Sequence, residues 1–152
     1  REAIECIAAM PNVLRSAISG LVSQQLDTAY RPGGWTVRQV VHHLADSHLN
    51  AYVRFKLALT EHLPTVKPYD QTQWAELADA RSAPVEVSLE ILDGVHARWT
   101  VLLKGMADSD FARQYHHPET GIHTLDYMLA MYSWHGAHHT EQIRSLRQRM
   151  NW

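Results

Sequence analysis

Cysteine is all but missing from this sequence, Cys6 being the only one. That excludes an intramolecular disulfide and any zinc site built from several thiolates. Long apolar runs are missing too. None approaches the roughly 18 consecutive residues that a membrane-spanning helix needs. Nor does one sign of charge dominate: 14 basic against 16 acidic side chains leave a formal net charge of -2. The basic residues are scattered and form no stripe of the kind that binds nucleic acid. Neither nucleic acid nor a membrane is therefore an expected partner. No signal peptide is visible, and the lack of disulfide chemistry fits the cytoplasm, which is the expected location.

What is present suits one globular domain spanning residues 1–152. Hydrophobic residues make up 45% and charged residues 20% of the chain, and this length can bury a core without covalent staples. The pattern predicts an all-α fold, a four-helix bundle with a long connection between its second and third helices. The first helix is expected from about Glu2 to Gln25, broken or kinked at Pro11, which lacks a backbone donor. Arg31-Pro32-Gly33-Gly34 reads as a turn. Thr36 and Gln39 then form a capping box that opens the second helix. Val37, Val40, Val41, Leu44, His48, Ala51, Tyr52, Phe55 and Leu59 carry its buried face to about Thr60. Pro64 and Pro68 bar regular helix from the long connection, although Gln71 to Leu77 can make a short one. The third helix is expected after Pro84 and the fourth from Thr124 to about Met150. Between them, residues 108–123 read as a loop, with no convincing strand anywhere.

Eleven histidines stand out in a chain of this size. On a helical wheel His135 and His139 share a face with Leu125, Met128, Tyr132, Ile143 and Leu146, one turn apart. Two imidazoles so placed can chelate one cation, which would satisfy their buried nitrogens. Hydrogen-bonded core histidines would leave the same spacing. The pair is not a zinc-protease motif, since Gly136 stands where that motif has glutamate. The chain also lacks the Glu-x-x-His pairs of di-iron bundles. On the second helix His43 shares a polar stripe with Ser47, Asn50 and Arg54, at i+4, i+7 and i+11. Spacing alone favours a solvated face there. His42 reads as a surface residue and His48 as a packed or hydrogen-bonded core residue, with His96 similar. His62, His116, His117 and His123 fall in loops.

Four segments make the sequence recognisable: YRPGGWTVRQVVHHLADSHLNAYVRFK (Tyr30 to Lys56), PTVKPYDQTQWAEL (Pro64 to Leu77), HPETGIHTLDYMLAMYSWHGAHH (His117 to His139) and the continuation Glu141-Gln142-Ile143. With them the chain resembles the DinB/YfiT superfamily, and in particular its YfiT-like branch, over nearly its whole length. The resemblance implies a four-helix bundle and a metal site with one histidine from the second helix and two from the fourth. The histidine directly before Leu-Ala-Asp-Ser is His43. The one after Trp134 is His135, and the second of the His-His pair is His139. Ser47, Asn50 and Arg54 would then line a substrate site instead of facing water. Relatives often carry a further histidine where this chain has Gln142.

Three neutral imidazoles and an open position make a site of catalytic type. One divalent metal per chain is expected, zinc first and nickel second by the ligand set. The nucleophile would be metal-bound water or a thiolate. Asp46 and Glu141 are candidates for proton transfer. By resemblance the favoured activity is transfer of a small cellular thiol, such as bacillithiol, glutathione or mycothiol, to an electrophilic substrate. Hydrolysis by metal-bound water is the alternative. A structural metal without catalysis is a second alternative, and a fourth ligand from His42, His138 or a loop would mark it. A homodimer remains open.

Overall fold

The computed structural model describes residues 2–152. Four long helices form the body: α1 (Glu2–Ile18), α3 (Val37–Thr60), α6 (Val85–Lys104) and α7 (Leu125–Met150). Between α1 and α3 lies the short α2 (Ser23–Leu26). The connection after α3 holds α4 (Gln71–Ala75) and α5 (Ala78–Ser82). Both α1 and α3 pack on α6 and α7, so the chain runs across the bundle from α1 to α3 and again from α6 to α7. Each diagonal crossing requires a connection longer than a tight turn.

Local chemistry sets the helix ends. Helix α1 stops at Ile18, earlier than expected, because Gly20 adopts a left-handed φ of 76°. Arg147 of α7 then donates to the carbonyls of Ala17 and Ser19, satisfying acceptors that the ended helix leaves open. The capping box at Thr36 forms as predicted, with Thr36 Oγ1 accepting from Gln39 N and Gln39 Oε1 from Thr36 N. Arg113 closes the far end of α3 by donating to the carbonyls of Ala58 and Glu61.

The segment expected to be a plain loop differs. A turn of 3-10 helix (Asp108–Ala112) precedes an antiparallel hairpin, β1 (Gln114–His117) with β2 (Gly121–Thr124). Gly121, at φ 95°, supplies the left-handed residue of the hairpin turn. The all-α expectation therefore needs this small correction. Four-residue strands are too short to give a readable alternation.

Two apolar clusters fill the interior. One holds Leu14, Val40, Leu44, Leu92 and Ile143, the other Ile7, Phe55, Trp99, Met128 and Tyr132. Along α3, α6 and α7 the change from one cluster to the other brackets polar positions, and on α1 it falls between Ile7 and Met10, just before Pro11. His48 lies between Leu44 and Ala51, His96 between Leu92 and Trp99, and His135 and His139 between Tyr132 and Ile143. Pro11 of α1 falls at the same level. A layer of imidazoles thus crosses the bundle at mid-height.

Candidate metal centre

Three histidines converge, two of them from this layer. His43 comes from the second turn of α3, while His135 and His139 stand one turn apart on α7. Each offers a ring nitrogen within 4.8 Å of the other two. His43 Nε2 and His135 Nε2 face one another at 3.2 Å. Two nitrogens each about 2.05 Å from one tetrahedral ion would stand roughly 3.3 Å apart. His139 Nδ1 donates to Gln142 Oε1 at 2.9 Å, which leaves Nε2 as its free lone pair.

All three rings are held neutral, the form that ligates. Burial pushes His43 down to about 3, with His139 adding repulsion. Burial likewise takes His135 down to about 2, helped by His139, His43 and His138. His139 is lowered by burial, and its bond to Gln142 pulls the other way. Three neutral imidazoles presenting lone pairs to a common point suit a borderline divalent cation such as zinc or nickel. Among the described residues no fourth histidine, cysteine or carboxylate joins the cluster.

The rivals for a fourth ligand are engaged elsewhere. His42, expected on the surface, is buried. Its Nδ1 pairs with Ser88 Oγ at 2.7 Å and its Nε2 with the Ala83 carbonyl at 3.1 Å. The α5–α6 junction covers a helix face that looks solvent-exposed from periodicity alone. His138 is exposed and meets Gln142 Nε2 at 3.0 Å. His62 is exposed, and His116, His117 and His123 belong to the hairpin.

The wall beside the cluster gathers some of the expected residues. Ser47 is buried, and its hydroxyl donates to the Tyr132 phenol at 3.3 Å. Tyr69, from the long connection, lies beside Ser47. Burial pushes its phenol up to about 12, and Ser47 opposes the shift. Burial raises Tyr132 as well, while its bonds to Ser47 and to the neighbouring Arg54 oppose the shift. Arg54 additionally donates to the Lys67 carbonyl at 2.7 Å, tying the connection to α3. Asn50, expected on this wall, donates its amide to the Asp46 carbonyl of its own helix at 2.9 Å. Asp46 is lifted by burial and by Asp79 to about 6. Glu141 is a surface residue facing Arg144.

Three contributors escaped the sequence reading. Tyr69 lies in the long connection and Tyr132 on the apolar face of α7, so neither reads as a site residue from the sequence. Trp35 packs over His43 with ring centroids 4.7 Å apart and stacks on His139 at 6.5 Å and 20°. Its signal was its place just before the capping box, where an apolar residue turns inward over the first helical turns. Gly34 keeps the preceding turn tight, since a side chain there would meet Arg31 Cγ at 2.8 Å and Tyr30 Cε1 at 3.0 Å.

Comparison with known proteins agrees with this architecture. The DinB superfamily profile matches residues 7–143. A Bacillus cereus protein provisionally named a metal-dependent hydrolase is 54% identical over 149 residues, covering 98% of this chain and 86% of its own. A Bacillus mycoides relative with the same kind of name is 53% identical over the same shares. Among solved structures, YfiT from Bacillus subtilis superposes with a TM-score of 0.97 at 48% identity, over 99% of this chain and 87% of that one. It is described as a probable metal-dependent hydrolase with an unusual four-helix bundle topology.

Proposed function

The chain belongs to the DinB superfamily, and from that premise we propose that it is a divalent-metal-dependent enzyme whose ion is held by His43, His135 and His139. The observation that carries this reading is the convergence of three neutral imidazoles without a fourth protein ligand among the described residues. Structural zinc sites are normally closed by four protein ligands, whereas three are typical of catalytic ones. The reaction proposed is transfer of a small cellular thiol to an electrophile. Water in place of the thiol is the second reading, favoured by the hydrolase names of the Bacillus relatives. Zinc is the first choice of metal and nickel the second. Bound there, the ion would supply Lewis acidity that makes a thiol or water available as its conjugate base near neutral pH.

The chain's own groups supply recognition and proton handling. Arg54 offers a planar donor fork suited to a carboxylate or phosphate on the substrate. Ser47, Tyr69 and Tyr132 form a polar wall whose phenols stay protonated and can donate hydrogen bonds. Asp46, one helical turn from His43 and raised to about 6, is suited to hold or release a proton near neutrality. Asn50, turned onto its own helix, is left out of the recognition set.

Metal content and turnover test the proposal. Purified protein should hold about one divalent ion per chain. His139→Ala should lose most of it, and His62→Ala should keep it. Unchanged metal in variants of all three ligands would overturn the site. Metal-loaded protein is then offered a panel of thiols with a chlorodinitrobenzene, and separately esters and amides, beside His135→Ala. Turnover that needs one particular thiol supports the transferase. Thiol-independent hydrolysis lost in the variant supports water as nucleophile.

A further inference from the structure

Pro11 sits inside α1. In a helix the carbonyl of residue i accepts from the N–H of residue i+4, and proline has none. The Ile7 carbonyl is therefore left without its helical donor. His96 Nδ1, from α6, supplies the missing bond. His96 Nε2 meets His48 Nδ1 at 3.0 Å, and His48 Nε2 meets His135 Nδ1 at 3.2 Å. One line of hydrogen bonds thus runs from α1 through α6 and α3 to the ligand on α7.

A carbonyl can only accept, and that gives the line a direction. His96 must carry its proton on Nδ1, so its Nε2 accepts. His48 then carries its proton on Nδ1 and accepts at Nε2. His135 in turn carries its proton on Nδ1, and its Nε2 is left as a bare lone pair aimed at His43. A neutral imidazole has one donor and one acceptor nitrogen, so no other arrangement satisfies every contact. The surroundings leave water little access: His48 and His96 are buried, with Trp99 and Tyr132 packed edge-on around them.

We propose that His48 and His96 are positioning residues, and that the Ile7 carbonyl freed by Pro11 sets the tautomers of three imidazoles so that His135 presents Nε2 to the metal. The proposal rests on the metal reading of His43, His135 and His139. Its general basis is that a ligand's second nitrogen, once hydrogen-bonded, fixes which nitrogen meets the ion. Here that partner is an imidazole itself oriented by another, in place of the usual carboxylate or single carbonyl.

Long-range nitrogen–proton spectra of metal-free protein carrying isotope-labelled histidine read each tautomer directly. All of His96, His48 and His135 should show the Nδ1–H form, whereas free neutral imidazole favours Nε2–H. His135 found as Nε2–H would overturn the proposal. Two variants probe function, with zinc affinity measured by chelator competition. His48→Phe fills the space but offers no acceptor, and should weaken zinc binding about ten- to hundredfold. His48→Gln can place an amide oxygen near the Nε2 position and should bind zinc severalfold more tightly than the phenylalanine variant. Equal zinc affinity in both variants and wild type would mean packing alone and would reject the role. The wild-type spectra decide the tautomers even if a variant fails to fold. Wild-type protein that binds no zinc would sink the metal reading and the positioning role with it. Zinc binding with His135 as Nε2–H would sink this inference alone.

Discussion

Replacing Gly136 by alanine tests whether the histidine layer is as tightly packed as its contacts imply. Helix propensity alone predicts a gain, since glycine inside a helix is about 1 kcal/mol worse than alanine. The surroundings predict the reverse. A Cβ at Gly136 would stand 2.8 Å from Met10 Cγ, 3.5 Å from Met10 Cε and 3.6 Å from His48 Cε1. The first contact is too short to keep, and Met10 is itself buried. Overpacking of this kind costs about 1–3 kcal/mol. The net expectation is a loss of about 1 kcal/mol, or a melting temperature lower by about 2–4 °C for a chain of this size. Urea unfolding of metal-free protein measures it. The contact to His48 is of ordinary length, so metal content should not change. In a Met10→Ala background the obstruction is gone, and the same glycine replacement should stabilise by about 1 kcal/mol. The sign reversal amounts to a coupling of about 2 kcal/mol between the two sites. A Gly136→Ala variant more stable than wild type, with no coupling to Met10, would refute the packing argument.

Acidification should destabilise the metal-free protein. His42, His43, His48, His96, His135 and His139 all have folded pKa values lowered from 6.5, chiefly by burial. Below that pH the unfolded chain binds more protons than the folded one, so stability falls as pH drops, by up to about 1.4 kcal/mol per pH unit for each ring. Urea midpoints that stay flat between about pH 7 and pH 5 would contradict this. Gln142→Leu removes the acceptor of His139 Nδ1–H and should weaken zinc binding about tenfold, with Gln142→Glu restoring it; equal affinity in all three would deny Gln142 that part. Arg54→Ala should leave metal content intact while raising KM for an anionic electrophile more than it lowers kcat, and an unchanged KM would remove Arg54 from substrate recognition. Stripping the metal with a chelator should leave the far-ultraviolet helical signal in place, and unfolding on chelation would favour a structural metal.

Where packing follows one helix face, the sequence was legible. The capping box at Thr36, the buried Val37-to-Phe55 stripe of α3 and the short helix near Gln71 all appear as their residues predict. The legible part ended where burial depends on segments remote in the chain. His42 and His43 look solvated by periodicity, yet α3 is buried on most of its circumference. The α5–α6 junction covers His42, and Trp35 with α7 covers His43. Resemblance recovered His43 and left His42 misread. On α7 the centre of the buried stripe is Gly136 and Thr140, with His135 and His139 half-buried on its flank. That flanking place is what lets them meet His43 while remaining within reach of a small molecule. Asn50 was expected on the substrate wall from the resemblance together with its i+7 place on the stripe of His43. Spacing puts a side chain on a face but does not stop it from bonding back to its own helix.

The distribution of apolar contacts bears on whether the metal is there to hold the bundle together. α3 and α7 are joined through clusters on both sides of the histidine layer, by Leu44 and Ile143 on one side and Phe55 and Met128 on the other. The helix ends are closed by Thr36, Thr124, Arg113 and Arg147. Pinning α3 to α7 would therefore duplicate contacts the core already makes. The histidine layer, by contrast, with His43 beside it, separates the two clusters by five rings that must be kept neutral and hydrogen-bonded, and so costs stability in acid. A costly polar layer inside a core that closes without it is better explained by chemistry at His43, His135 and His139 than by support of the fold. Pro11 belongs to the same layer. It weakens α1 by one hydrogen bond, and the carbonyl it frees is used, through His96 and His48, to orient His135, the proposed ligand on the neighbouring α7.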